Sequence, residues 1–230
     1  MTLRRPAASW PEKEKMKYRA IIFDIDGTIT IPVSSWRYIH EKLGKWDVLA
    51  CRYQELFLAN RISYRKFCEL DAAHWKGLPE KNIEELFQDV PYAKNAVTSI
   101  KKLKKVGLKL IAVSTGLQYL PRRLEKELCF DYILSNELEA RKDILTGGVK
   151  INITHGAKGK ALKKIIREIA VKPHQVISVG DSEGDIPLSR TAGYSIAFNS
   201  SSRHLSEMVD YNCKTDDFSE VYDKIVSLLV

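Results

Sequence analysis

The feature that most narrows the fold is a set of brief apolar runs that recur along the chain: Ala20 to Phe23, Leu108 to Val113, Tyr132 to Leu134, Val176 to Val179 and Tyr194 to Phe198. Short runs of this kind suit parallel strands buried on both faces, and such strands need helices above and below the sheet. The segments between them supply those helices. Ala96 to Val106 lines up Val97, Ile100, Leu103 and Val106 on one stripe, with Lys101, Lys102, Lys104 and Lys105 mostly outside it. Ala161 to Ala170 does the same with Leu162, Ile165, Ile166 and Ile169. Strand and helix in alternation predict an α/β fold, a doubly wound parallel sheet of Rossmann-like architecture.

Two stretches break that rhythm. Residues 31–88 contain no convincing strand, and helices are expected near 35–43, 47–60, 63–76 and 79–88. The resulting division is a basic arm at 1–19, an α/β core from 20–30 and 89–230, and a small helical cap at 31–88. The cap holds nine of the chain's 21 aromatic residues. A helical unit that small needs bulky side chains to build its own core, so most of these read as packing. Residues 135–153, "SNELEARKDILTGGVKINI", read as a hairpin turning near Gly147-Gly148.

The formal charge is +8, and half of that excess lies in residues 1–19, with six basic and two acidic side chains. The arm lacks the apolar core of a signal peptide, and Glu12 and Glu14 set it apart from a transit peptide. No stretch is long and apolar enough to span a bilayer, so no membrane partner is expected. Cys51, Cys68, Cys129 and Cys213 show no paired spacing, which argues against a zinc site or a disulfide framework. These features predict a cytoplasmic protein. The Lys-rich stretches 101–109 and 158–167 read as solvated helix faces, so nucleic acid is not an expected partner. The oligomeric state is left open.

In an open α/β sheet, ligands collect beyond the carboxyl ends of the strands. Four polar stretches fall there: Asp24-Ile-Asp26-Gly-Thr28 after the first strand, Ser114-Thr115-Gly116 after Val113, "HGAKGK" with Lys158 opening a helix, and "VGDSEGD" with Asp181 and Asp185. Any one of them has a plain reading as a turn, a helix cap or a solvated lysine. "HGAKGKAL" also lacks the spacing of a nucleotide-binding phosphate loop. Together they make a site. Asp24, Asp26 and Asp181 crowded at one edge would repel one another unless a hard cation came between them. Mg²⁺ suits such a group, because it takes a few carboxylates, waters and a phosphate oxygen. Ser114 and Thr115 offer hydroxyl and backbone N–H donors, and Lys158 a fixed charge, for a phosphoryl group.

With those four motifs in that order, the chain resembles the haloacid dehalogenase-like hydrolase superfamily. The helical insert and "FDYILSNELEARKDILTGGV" make it most similar to the phosphoserine phosphatase branch. The resemblance covers residues 20 to about 228 and implies a phosphatase acting on a small-molecule phosphomonoester. It implies Asp24 as nucleophile, passing through an aspartyl phosphate, and Asp26 as general acid and then general base. It implies Mg²⁺ held by Asp24, the backbone carbonyl of Asp26, and Asp181, with Asp185 acting through water. Ser114, Thr115 and Lys158 would bind the phosphoryl oxygens, and Thr28 would shape the first loop through a bond to Asp26.

The departures matter as well. Val33 stands where that branch places a glutamate for the substrate amino group, and Asp71 where it places an arginine for the carboxylate. Gly184 replaces a common asparagine. A substrate other than phosphoserine is therefore expected, with Ser34, Ser35, Trp36, Arg37, His74, Trp75 and Lys76 as possible contacts to its alcohol part. Transfer of the phosphoryl group to a second alcohol, as in a phosphotransferase or mutase, and an end phosphatase for nucleic acid are the alternatives. A non-catalytic scaffold would show a damaged nucleophile or lysine, and both are intact.

Overall fold

The computed structural model describes residues 16–32, 34–46 and 48–229, so most of the basic arm and the Val33 position lie outside the described residues. Strands β1 (Ala20–Phe23), β2 (Lys109–Leu117), β3 (Tyr132–Arg141), β4 (Ile144–Lys150), β5 (Val176–Gly180), β6 (Tyr194–Phe198) and β7 (Tyr211–Cys213) form one sheet in the order β4-β3-β2-β1-β5-β6-β7. All neighbours run parallel except β3 and β4. The expected doubly wound α/β architecture is observed.

The pleat of β1 explains why its run is apolar throughout. Ile21 and Phe23 point into the larger core cluster, and Ala20 and Ile22 into the cluster on the opposite face. The first face is covered by α5 (Ala96–Val106), α6 (Tyr119–Leu128) and α10 (Ser219–Ser227), through residues such as Leu103, Leu124 and Ile225. The other face is covered by α7 (Lys158–Glu168) and α8 (Ile186–Ser189), through Leu162, Ile165 and Leu188. The short α9 (Arg203–Met208) packs Leu205 beside Ala197 of β6. Met16 and Tyr18 are buried in the larger cluster, so the end of the predicted arm belongs to the packed body. β7, only three residues long, carries no periodicity that a sequence reading could register.

Between β1 and α5 the chain forms α1 (Ser35–Lys42), α2 (Val48–Leu58), α3 (Tyr64–Ala73) and α4 (Glu80–Leu86), close to the predicted spans. The Ser34 and Ser63 hydroxyls accept the Arg37 and Lys66 N–H groups and cap α1 and α3. Trp36 stacks on Trp75 at 5.9 Å and Phe57 on Phe67 at 5.2 Å, so the aromatics do build the interior of this unit.

The β3–β4 hairpin turns elsewhere than predicted. Lys142 and Asp143 adopt left-handed φ values of 51° and 60°, as a two-residue hairpin turn requires, and Gly147 and Gly148 lie within β4. The glycines serve close approach instead. Gly147 has φ 84°, and a Cβ there would press on the Lys76 side chain at 3.1 Å. The helical unit is tied to the hairpin here, as Gly77 donates to the Leu145 carbonyl and Leu145 to the Leu78 carbonyl, both at 2.9 Å. Among the described residues no helix is long and apolar enough to cross a membrane.

Candidate active site

Parallel pairing aligns the carboxyl ends of β1, β2 and β5. Phe23 lies opposite both Ala112 and Val179, which brings the residues that follow each of them to one edge. Asp24 continues from β1, with its N–H donating to the Val179 carbonyl at 2.9 Å. Asp181 follows β5. Asp24, Asp181 and Asp185 each offer a carboxylate oxygen within 4.8 Å of the others, and all three are buried. Lys158, the first residue of α7, is buried too. Its ammonium reaches Asp24 Oδ1 at 2.5 Å and Asp185 Oδ1 at 2.6 Å.

The remaining oxygens are fixed by short-range chemistry. Asp185 Oδ2 accepts the N–H groups of Asp181 and Ser182, each at 3.1 Å, which folds the "DSEGD" loop back on itself. The Thr28 hydroxyl donates to Asp181 Oδ1 at 2.9 Å. It therefore steadies Asp181 and not Asp26, the partner predicted for it. Gly27 makes room for this contact, with φ 87° and a position where a Cβ would fall 2.6 Å from Asp181 Oδ2. The Ser114 hydroxyl donates to Asp26 Oδ2 at 2.5 Å and accepts the Gly116 N–H at 2.7 Å. Among the described residues, buried Asp26 Oδ1 has no hydrogen-bond partner.

Electrostatics follow from this crowding. Burial, then repulsion from Asp185, raises the Asp24 carboxyl well above the ordinary range, and Lys158 only partly offsets it. Burial raises Asp26, with Ser114 pulling the other way. Burial and Asp185 push Asp181 up to about 7. Burial alone would lower Lys158, but Asp185 and Asp24 hold it above its usual value. Four carboxylates thus face one ammonium. The donor set is all oxygen and hard, the imbalance calls for a further cation, and Asp26 Oδ1 has no partner among the described residues. These residues fit a divalent ion such as Mg²⁺.

A cavity of about 510 Å³ opens from this cluster toward the inserted helices. Asp24, Asp26, Ser114, Thr115, Lys158 and Asp181 line one end of it. Of the predicted contacts in the insert, Ser34, Ser35, Trp36 and Arg37 line it and His74, Trp75 and Lys76 do not. Trp75 is fully buried behind Trp36, His74 packs on His40 and Tyr53, and Lys76 lies against Gly147. Asp71 is also away from the cavity, buried with its Oδ1 3.3 Å from His40 Nε2. Asp71 therefore does not face the cavity from the position where the related branch places its arginine. The wall instead includes Gln54, Phe57, Tyr64, Phe67 and His155, which the sequence reading did not select. His155 could have been found, because it opens the "HGAKGK" stretch from which only Lys158 was chosen.

A second missed group holds the site in register. The Thr115 carbonyl accepts Trp36 Nε1 at 3.1 Å, the Tyr64 hydroxyl at 2.6 Å and Asn136 Nδ2 at 2.9 Å. Fully buried Asn136 also accepts the N–H groups of Asn152 and Ile153 through its Oδ1, at 2.9 and 3.0 Å. One amide thereby joins the end of β2 to the segment leading to His155 and Lys158.

The chain matches the sequence profile described as haloacid dehalogenase-like hydrolase over residues 21–190. It is 30% identical over 182 residues to the phosphoserine phosphatase of Archaeoglobus fulgidus, covering 79% of this chain and 52% of that protein. The figures for phosphoserine phosphatase SerB2 of Mycobacterium tuberculosis are 30% over 182 residues, 79% and 44%. The chain thus spans about half the length of these two curated relatives. It spans 82% of the phosphoserine phosphatase of Streptococcus thermophilus, at 30% identity over 179 residues and 77% of this chain. Among solved structures, a substrate-bound phosphoserine phosphatase complex superposes with a TM-score of 0.79 at 24% identity, covering 91% of this chain and 99% of that one. A hydrolase of the same family from Salmonella enterica serovar Typhi reaches a TM-score of 0.82 at 20% identity, covering 94% and 72%. These two likenesses concern the fold. With its profile match, its parallel sheet and the acidic edge around Lys158, the chain belongs to the haloacid dehalogenase-like hydrolase family.

Proposed function

We propose that this protein is a Mg²⁺-dependent phosphatase that hydrolyses a small-molecule phosphomonoester through a phosphorylated Asp24. The observation that carries this reading is the meeting of Asp24, Asp181 and Asp185 around the Lys158 ammonium, at the mouth of a cavity large enough for an ester. Asp24 and Asp181, with the backbone carbonyl of Asp26, would hold Mg²⁺ with Asp185 behind them. When bound, the ion neutralises charge on the carboxylates and on a phosphoryl oxygen.

In the first half-reaction an oxygen of Asp24 attacks phosphorus and the bond from phosphorus to the ester oxygen breaks. Asp26 delivers its proton to the departing alkoxide. Burial shifts the Asp26 carboxyl in the direction a proton donor needs, and the Ser114 bond at 2.5 Å fixes its orientation. In the second half-reaction Asp26 takes a proton from water as that water attacks phosphorus. The bond to Asp24 breaks, and inorganic phosphate leaves. Lys158 and the donors at Ser114 and Thr115 offset the charge spread over the phosphoryl oxygens. Helices α1 to α4 act as a cap that shuts water out of the first step and shapes the pocket for the alcohol.

The test is phosphate release from a panel of monoesters with Mg²⁺, with Asp24→Asn as the blank. Turnover by the parent protein should vanish in the variant, because an amide is a poor nucleophile. Retained turnover in Asp24→Asn would sink the reading. Adding acceptor alcohols to the same assay separates hydrolysis from transfer, since transfer lowers phosphate release per ester consumed.

A further inference from the structure

The cavity's lining combines two chemistries. One part carries the carboxylates, Lys158 and the hydroxyls. The other is an apolar wall of Trp36, Phe57, Leu58, Tyr64 and Phe67, held beside the first by the bonds of Trp36 Nε1 and the Tyr64 hydroxyl to the Thr115 carbonyl. Phe57 stacks on Phe67 with an interplanar angle of 17° and meets the His155 ring edge-on at 5.5 Å. The rings of Tyr64 and His155 lie 6.4 Å apart at 32°. Leu58, at the same wall, is 67% exposed among the described residues. Gly184 places no side chain beside His155, whose Cε1 would lie 3.5 Å from a Cβ there, as would Ser182 Oγ.

Charge is sparse on this wall. Among the described residues, the only charged side chain that the inserted helices contribute to the cavity is Arg37, whose Nε already donates to Glu41 at 2.7 Å. Among the described residues the wall holds no carboxylate for an ammonium group, so the charged amine of an amino-acid phosphate would find no partner there. Polarity outside the phosphate end comes from Gln54, Ser34 and His155, groups that suit hydrogen bonds to a neutral ligand. Burial, then the nearby Lys158 charge, lowers the His155 pKa, which favours its neutral form.

We propose that the alcohol part of the substrate is an uncharged aromatic or other planar apolar group, seated against Phe57 and Tyr64 beside His155. This rests on the phosphatase reading and specifies its substrate class. The phosphate enters at Lys158 and the ring lies across the cavity, covering the apolar wall that the chain leaves open. An aromatic face against aromatic edges adds attraction beyond the area it buries.

The deciding comparison is 2-phenylethyl phosphate with ethyl phosphate, both with Mg²⁺. Their leaving alcohols are of similar acidity, so a difference in kcat/KM reports the ring and not the chemistry of departure. The phenylethyl ester should be preferred by roughly tenfold or more, with O-phosphoserine no better than ethyl phosphate. Phe57→Ala should bring the preference down toward one. His155→Ala, a change in the loop before α7, should lower it as well. Equal kcat/KM for the two alkyl esters, or a preference for O-phosphoserine over both, would overturn the substrate class while leaving the phosphatase reading intact. Absence of phosphate release from every ester would overturn the phosphatase reading and the substrate class with it.

Discussion

The ammonium of Lys158 and the carboxylate of Asp24 are 134 residues apart in sequence and 2.5 Å apart in the fold, both of them buried. A buried ion pair of this kind is costly to assemble, because both charges leave water. It persists because Asp185 supplies a second carboxylate at 2.6 Å and the surrounding strands fix all three groups. The chain thus gathers more carboxylates than cations at one edge of its sheet, an imbalance that a bound divalent cation would relieve.

Metal dependence is the first expected outcome. Mg²⁺ should raise the thermal unfolding midpoint of the parent protein, since a ligand that binds only the folded state stabilises it by mass action. Asp181→Asn removes one of the clustered carboxylates and should abolish most of that increment. Thermal melts with and without Mg²⁺ check it, and an undiminished increment in the variant would count against Asp181 as a ligand.

Gly116 is a steric test of the Asp26 geometry. A Cβ at this position would collide with Ser35 Oγ and Asp26 Oδ2 and come within 3.0 Å of Ser114 Oγ. Gly116→Ala should displace the proton-transfer carboxyl and lower kcat on the order of a hundredfold. Steady-state kinetics on any accepted ester measure the loss, and circular dichroism verifies that the variant is folded.

Asn136 should matter more for stability than its place outside the catalytic cluster suggests. Asn136→Ala leaves the Asn152 and Ile153 N–H groups without their acceptor and removes one donor from the Thr115 carbonyl. The expected cost is about 3 kcal/mol, from buried polar groups left unpaired. Urea unfolding would show it as a lowered midpoint with an unchanged slope.

Asp131 provides a pH test remote from the site. Burial acts to raise its carboxyl, but bonds from Lys104 at 2.6 Å, the Leu110 N–H at 2.8 Å and Lys109 at 3.0 Å prevail and hold it below the ordinary value. A carboxyl lowered by folding stabilises the protein above the unfolded-state pKa of about 3.9, and that contribution fades as pH falls through the lowered folded value. Asp131→Asn should therefore cost about 1 kcal/mol near pH 7, since the lysines are partly exposed. The gap between parent and variant should close in strong acid. A gap constant from pH 7 to pH 2 would show that the charge plays no part.

Much of this was legible in the residues themselves. The run Ala20 to Phe23 announces a strand buried on both faces because no polar atom interrupts it, and α5 coincides with its predicted stripe from Ala96 to Val106. The acidic pairs after β1 and β5, with Lys158 at the start of a helix, mark a site because each occurs where a parallel sheet exposes its strand ends. Less was legible where a residue's meaning depends on its partner. Gly147 and Gly148 look like a turn in isolation, but Lys76 and Glu139 lie against them and the chain turns at Lys142-Asp143. Asp71 and Trp75 look available in the sequence, yet the first is buried beside His40 and the second beneath Trp36.

By itself, then, the order of residues determined the layered α/β body and the chemical identity of its acidic edge, because strand burial, helix periodicity and residue type are local properties of the chain. The tertiary structure decided which groups share the cavity. Phe57 and His155 are far apart in sequence and reach one wall through the packing of α2 against the loop before α7, and Thr28 serves Asp181 because two strand ends meet. Proximity between distant segments arises from packing, and no single segment encodes it alone.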